Sequence, residues 1–171
     1  APVGVVEKDK SVGNIHIKLG GPDYAIGIGG AAASSLNGGE NSQDLDFASV
    51  QRANAIMQIK VKNVISTLIE HYPDAIRSIH DYGAGGHGTN MTELYEPDDG
   101  FLGGGKVDMA QITVADQAMS YSEILINESQ ERMGLLINPA YIDQVKEVCA
   151  REKCPIDVLW AVTGDGKLHV Y

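Results

Sequence analysis

The sequence predicts an α+β domain in which a mixed β-sheet packs with helices in layers. Three observations carry that expectation. "NIHIKLGG" (Asn14–Gly21) alternates Ile15, Ile17 and Leu19 with His16 and Lys18, the two-residue period of a half-buried strand. Met57, Val61, Val64, Ile65, Leu68 and Tyr72 recur at helical spacing, and Pro73 follows them directly. "IDVLWAV" and "KLHVY" flank "TGDG", a hairpin turn signal. Strands and helices mix and a hairpin occurs. That favours a layered α+β arrangement over a doubly wound parallel sheet.

The elements follow in order. "YAIGIGG" (Tyr24–Gly30) reads as a second short strand, and the small-residue loop "AAASSLNGGENSQ" comes next. The long amphipathic helix follows, with Gln51 and Arg52 near its start. "AIRSIHD" (Ala75–Asp81) reads as a strand ending at an acid, and "GAGGHGTNMTELYE" starts with glycines and turns helical. A flexible loop precedes a weak strand over Lys106–Ile112. "SYSEILINESQERMGLLINP" holds a short helix, a polar knot and a strand near Met133–Ile137. Asn138-Pro139 caps the next helix, whose buried face is Tyr141, Ile142, Val145, Val148 and Cys149.

Composition narrows the function. The 171 residues suffice for one packed domain, expected over residues 13–171 after a lead-in at 1–12. A net charge of −10 argues against nucleic-acid binding. No apolar run is long enough to span a membrane and no signal peptide is visible. Two cysteines, Cys149 and Cys154, without metal spacing, suit a reducing cytoplasm and small core positions. The start at Ala1, directly into a strand-like stretch, suggests a processed protein or an excised domain.

"SIHDYGAGGHGTN" (Ser78–Asn90) carries the first candidate site. Asp81 stands where a strand ends and a glycine-rich turn begins. It is either a turn cap or a carboxylate for magnesium that bridges to phosphate. His80, its neighbour on the strand, reads as a core or interface histidine. His87, among glycines, reads as solvent-exposed, with ligand contact as the alternative. The run Asn127–Arg132 is six polar residues between apolar elements. It is either an exposed turn or a set of donors and acceptors for a polar ligand. Neither a Walker loop nor a convincing Ser-His-Asp order is present.

"GGAAASS", "DLDFASVQR", "IHDYGAGGHGTNMTEL" and "NESQER" stand here in an order and spacing that resembles the large, single-chain phosphoribosylformylglycinamidine synthases, also called formylglycinamide ribonucleotide amidotransferases. The resemblance runs from about Gly13 to Tyr171. It implies a fold similar to the C-terminal domain of aminoimidazole ribonucleotide synthetase, here from the first half of a repeated core. The remaining synthetase subdomains, the ATP-handling residues and the glutaminase would lie outside this chain. Other members of that superfamily, such as selenophosphate synthetase or thiamine-phosphate kinase, and a non-catalytic structural module are the competing readings.

The resemblance also implies roles. Asp81 falls on a magnesium-binding aspartate. Gln51, Glu128, Ser129 and Gln130 fall on contacts to formylglycinamide ribonucleotide, and Gly29–Ser35 falls near the phosphate. In such an enzyme ATP activates the formyl amide oxygen, and ammonia from glutamine displaces phosphate. No catalytic residue is expected in this chain, and alone it is expected to be inactive. Two departures stand out. His87-Gly88 replaces the family's usual Leu-Ser, so His87 takes no family role. Ala53-Asn54-Ala55 also differs from the usual pattern after "VQR".

Overall fold

A computed structural model describes residues 10–25, 27, 43, 53–97 and 100–171. Its centre is a four-stranded antiparallel sheet in the order β2-β4-β1-β5. The strands are β1 (Ile15–Gly20), β2 (Ile76–Asp81), β4 (Arg132–Ile137) and β5 (Ile156–Ala161). A second sheet pairs β3 (Gly105–Val107) with β6 (Leu168–Val170) in parallel. The expected α+β class with layered helices therefore holds.

One face of the large sheet is apolar. Ile17 and Leu19 of β1 and Leu135 and Ile137 of β4 meet helix α1 (Ala55–His71) and helix α4 (Ile142–Glu152). The helical spacing read from the sequence explains this: Val61, Val64 and Leu68 are buried, with Met57, Ile65 and Tyr72 packed beside them. Asn54 caps α1 by accepting a hydrogen bond from the Met57 amide at 3.0 Å. Gln51, expected near the helix start, lies outside the described residues, as does Gly29–Ser35. Cys149 and Cys154 are buried in the apolar layer. Burial lifts the Cys149 thiol to about 12 and the Cys154 thiol to about 11, so neither is a ready nucleophile.

The opposite face carries helix α2 (Gly86–Leu94), the short helix α3 (Tyr121–Leu125) and a second apolar cluster around Met91, Leu94, Leu136 and Leu159. Here β1 differs from the half-buried strand expected. His16 is 0% exposed and Lys18 is buried in an ion pair with Asp157 at 2.7 Å. The alternation in "NIHIKLGG" separates two buried faces, one apolar and one polar.

Two other expectations change. "TGDG" turns the chain but joins no hairpin, because β5 pairs with β1 and β6 pairs with β3. Gly164 and Gly166 both take positive φ, and the Asp165 carboxylate accepts from Thr163 Oγ1 at 2.7 Å and from the Lys167 amide at 3.1 Å. That local ring of bonds swings the last strand away from β5. The strand expected over Lys106–Ile112 stops at Val107. Asp108 accepts from the Ala110 amide at 3.0 Å and starts a 3-10 turn over Met109–Gln111.

Candidate functional site

The strand register builds the site. β1 and β2 both run antiparallel to β4, which places Gly20 opposite Arg132 and Asp81 opposite Met133. The ends of β1 and β2 therefore meet the segment that enters β4, residues Asn127–Glu131. Glu131 holds φ +56, which a non-glycine residue adopts at a cost of roughly 1–2 kcal/mol. Gly20 accommodates it: a Cβ there would sit 2.1 Å from the Glu131 carbonyl oxygen. Backbone strain of this kind gathers at ligand sites.

The Asn127–Gln130 loop is not the exposed turn that its polarity allowed. Asn127, Glu128 and Ser129 are buried, while Gln130 is exposed. Each buried polar group is tied down, as burial requires. The Asn127 side chain donates to the Tyr24 carbonyl and accepts from the Ser129 amide at 3.0 Å. The Glu128 amide donates to the Gly27 carbonyl at 3.0 Å, and its carboxylate accepts from the Gly85 amide at 3.0 Å. Ser129 Oγ accepts from the Tyr24 amide at 3.4 Å.

The glycines of "GAGG" serve this loop. Gly86 opens α2 at φ +57, and a Cβ there would lie 2.2 Å from the Asn127 carbonyl oxygen. The close backbone approach that a glycine permits is made, at Gly86, to the chain itself.

Beneath the loop sits a buried cluster of charge. Arg132 Nη1 lies 2.5 Å from Asp23 Oδ1, and His87 Nε2 lies 2.8 Å from Asp23 Oδ2. Lys18 approaches Asp23 at 3.5 Å. His87 is 0% exposed, which overturns the solvent-exposed reading. Its position directly after the "AGG" turn puts it on the inner side of α2, against the Tyr82 ring at 4.7 Å. Desolvation lowers the His87 pKa, and the charges of Arg132 and Lys18 add to that against the pull of Asp23. Burial pushes the Asp23 carboxyl up, but the His87 hydrogen bond and the neighbouring positive charges outweigh it and hold the pKa at about 2. Asp23, Lys18 and His16 were missed as members of this region. The signal available was a lysine and a histidine inside a β-strand with no solvent-facing partner segment.

Asp81 is placed otherwise. Its side chain is 71% exposed at the end of β2. Asn90 of α2 donates to the carbonyls of His80 at 3.1 Å and Asp81 at 3.0 Å, which pins the strand end. His80 is partly exposed, with Nε2 2.5 Å from Glu93 Oε2 and Nδ1 3.6 Å from Asp81 Oδ1. Among the described residues no cluster of three metal-ligating side chains forms. An exposed hard oxygen donor fits magnesium as one ligand among waters and phosphate oxygens, since that ion keeps much of its hydration.

Two cavities border the loop. One of about 480 Å³ is lined by Tyr24, Asn54, Met57, Ser129 and Gln130 among others. The second, of about 550 Å³, is lined by Gln58, Lys62, Asp81, Gln130 and Arg132 among others. Gln130 borders both, so the strand-end carboxylate and the polar loop line neighbouring cavities. Among the described residues no helix is long and apolar enough to cross a membrane.

The model of the family described as AIR synthase related protein, C-terminal domain, matches residues 11–171. Phosphoribosylformylglycinamidine synthase of Saccharomyces cerevisiae is 42% identical over 159 residues, covering 92% of this chain and 12% of that protein. The enzyme of the same name from Schizosaccharomyces pombe is 40% identical over 162 residues, covering 95% and 12%. The chain thus spans only 12% of the length of these relatives. Among solved structures, T. maritima PurL complexed with FGAR has a TM-score of 0.83 at 24% identity, covering 98% of this chain and 27% of that one. That likeness shows the fold.

Proposed function

The chain belongs to the AIR synthase related C-terminal domain family, and on that premise we propose that it is the substrate- and magnesium-binding part of a phosphoribosylformylglycinamidine synthase. That enzyme is a ligase of purine biosynthesis. It converts formylglycinamide ribonucleotide to formylglycinamidine ribonucleotide with ATP and glutamine. The two yeast relatives that carry the name are 40% and 42% identical to this chain. Residues 13–171 form one unit in this reading. The other synthetase subdomains and the glutaminase are its partners, ATP is bound mainly by them, and the reaction takes place in the cytoplasm.

One observation carries the local reading. The register brings Asp81 and the Glu128–Gln130 loop to the same end of the sheet, with Gln130 bordering both cavities. Ser129 lines one cavity with a hydroxyl that accepts or donates, and Glu128, buried beside it with its carboxylate on the Gly85 amide, is assigned to the ligand on the resemblance. Gln130 supplies an amide from the exposed rim. Gln51 is assigned to the same ligand on the resemblance. Asp81 would offer one oxygen to Mg2+, which when bound offsets phosphate charge. The chain's own groups position the substrate rather than transfer protons.

The test uses the full-length protein. Gln130→Ala is expected to raise KM for formylglycinamide ribonucleotide about tenfold, the scale of one lost hydrogen bond to a charged group. Asp81→Asn is expected to shift the magnesium dependence of turnover to higher concentration. Unchanged kinetics in both variants would refute the assignment. The purified 171-residue chain is expected to make no product, and turnover by it alone would refute the domain reading.

A further inference from the structure

We propose that Asp23 and His87 are positioning residues for ligand binding: together they orient the Arg132 guanidinium, which fixes the backbone of the Asn127–Gln130 loop. The proposal rests on reading that loop as the substrate contact.

The guanidinium is a rigid, planar fork of donors. Arg132 Nη2 donates to the Asn127 carbonyl at 2.5 Å, and Nε donates to the Ser129 carbonyl at 2.8 Å. Two peptide groups that bracket Glu128 thus hang on one side chain. The fork needs its own plane fixed, and three contacts do this. Nη1 meets Asp23 Oδ1 at 2.5 Å, Nη1 lies 3.1 Å from His87 Nε2, and the group lies over the Tyr82 ring at 4.8 Å from its centre. His87 in turn holds the other oxygen of Asp23.

Asp23 is anchored independently of the loop. Its amide donates to the Thr113 carbonyl at 3.0 Å, and its carbonyl accepts from the Ala115 amide at 2.8 Å. From that anchor the next residues run along the loop: Tyr24 bonds Asn127 and Ser129, and Gly27 bonds Glu128. Asp23 therefore fixes the loop from two sides, through its own chain and through Arg132.

Charge balance explains why a histidine serves here. Lys18 and Arg132 face Asp23 and Asp157 in the buried cluster, so a neutral His87 leaves no net charge. Arg132 can only donate. His87 Nε2 either donates to Asp23 or accepts from Arg132, and both arrangements keep the fork in plane. A leucine at this position offers neither.

The test uses the full-length protein. Asp23→Ala and His87→Leu each remove one support, whereas His87→Gln keeps an amide that reaches Asp23. The first two are expected to raise KM for formylglycinamide ribonucleotide about tenfold, the scale of one charge-assisted hydrogen bond. KM for ATP and kcat are expected to change less than about twofold, and His87→Gln to restore KM to within about threefold, because only loop placement is lost. Hydrogen exchange measured on peptides covering residues 127–130 is expected to accelerate in the first two variants, with β1 and α4 unchanged. Equal rises in both KM values, failure of His87→Gln to rescue, or unchanged exchange at 127–130 would overturn the proposal. If Asp23→Ala does not fold, Asp23→Asn replaces it. If the unsubstituted protein does not turn over formylglycinamide ribonucleotide, the functional reading fails. The exchange experiment then decides the positioning role by itself.

Discussion

The two faces of the central sheet use the same strand differently. On one, Ile17 and Leu19 of β1 pack under α1 and α4 in an apolar layer. On the other, His16 and Lys18 of β1 are equally buried, beside Asp23, Asp157, His87 and Arg132. The apolar face gains stability from area removed from water, a term that depends little on direction. The polar patch on the second face, beside the apolar cluster around Met91, Leu136 and Leu159, must satisfy each charge, and buried pairs contribute little net stability. What it gains is direction: its donors end on the carbonyls of the Asn127–Gln130 loop.

The largest expected effect probes that difference directly. Arg132→Met leaves two loop carbonyls without their donor and strips Asp23 of one of its positive partners, and should cost about 3–5 kcal/mol, read from urea unfolding. Little loss of stability would show that the polar face is dispensable. On the apolar face, Leu135→Ala, at a residue with 0% exposure, should cost about 2–5 kcal/mol. It should leave exchange in the loop unchanged, and a loosened loop would erase the distinction between the faces.

Gly86→Ala should cost about 1–3 kcal/mol, because the new Cβ meets the Asn127 carbonyl. Urea unfolding reads the loss, and hydrogen exchange on peptides covering residues 127–130 shows whether it is confined to the loop side. Acid probes the polar face more gently. His16 is held at about 3 by burial, followed by the charge of His87, and its Nδ1 takes the Tyr95 hydroxyl at 2.7 Å. The His87 pKa is lowered as well. In the unfolded chain both protonate near pH 6.5. Below that pH the unfolded state binds more protons than the folded one, so stability is full above it and falls as pH drops. His16 alone contributes up to about 1.4 kcal/mol per pH unit. Urea midpoints that do not move from about pH 7.5 to about pH 5.5 would contradict neutral, buried histidines. The smallest effect on stability belongs to Asp81→Asn, below about 0.5 kcal/mol at an exposed side chain. A larger loss would mean that Asp81 is built into the fold rather than left open for a ligand.

Much of the fold was legible in single stretches. α1 announced itself through Met57, Val61, Val64 and Leu68, and β2 through its run up to Asp81. α4 did so through its apolar stripe, while the expected Asn138 cap opens the 3-10 turn Pro139–Tyr141 that leads into it. The loop near Glu128 was legible as a polar oddity, though not as a buried one. His87 was misjudged because glycine neighbours suggest a surface turn. Here those glycines let α2 approach Asn127, which draws His87 inside.

By itself the sequence determined the elements whose signals are local: the period of β1, the inner face of α1 and its end before Pro73, and the Asn138 cap. The tertiary structure decided which strands pair, so that "TGDG" sends β6 to β3, and which polar residues lie inside. Those outcomes depend on partners far apart in the chain: Asp23 meets His87 across 64 residues and Arg132 across 109. A periodicity of two or 3.6 residues marks which face a side chain takes. Only the packing of a second layer determines whether that face meets water or an opposite charge.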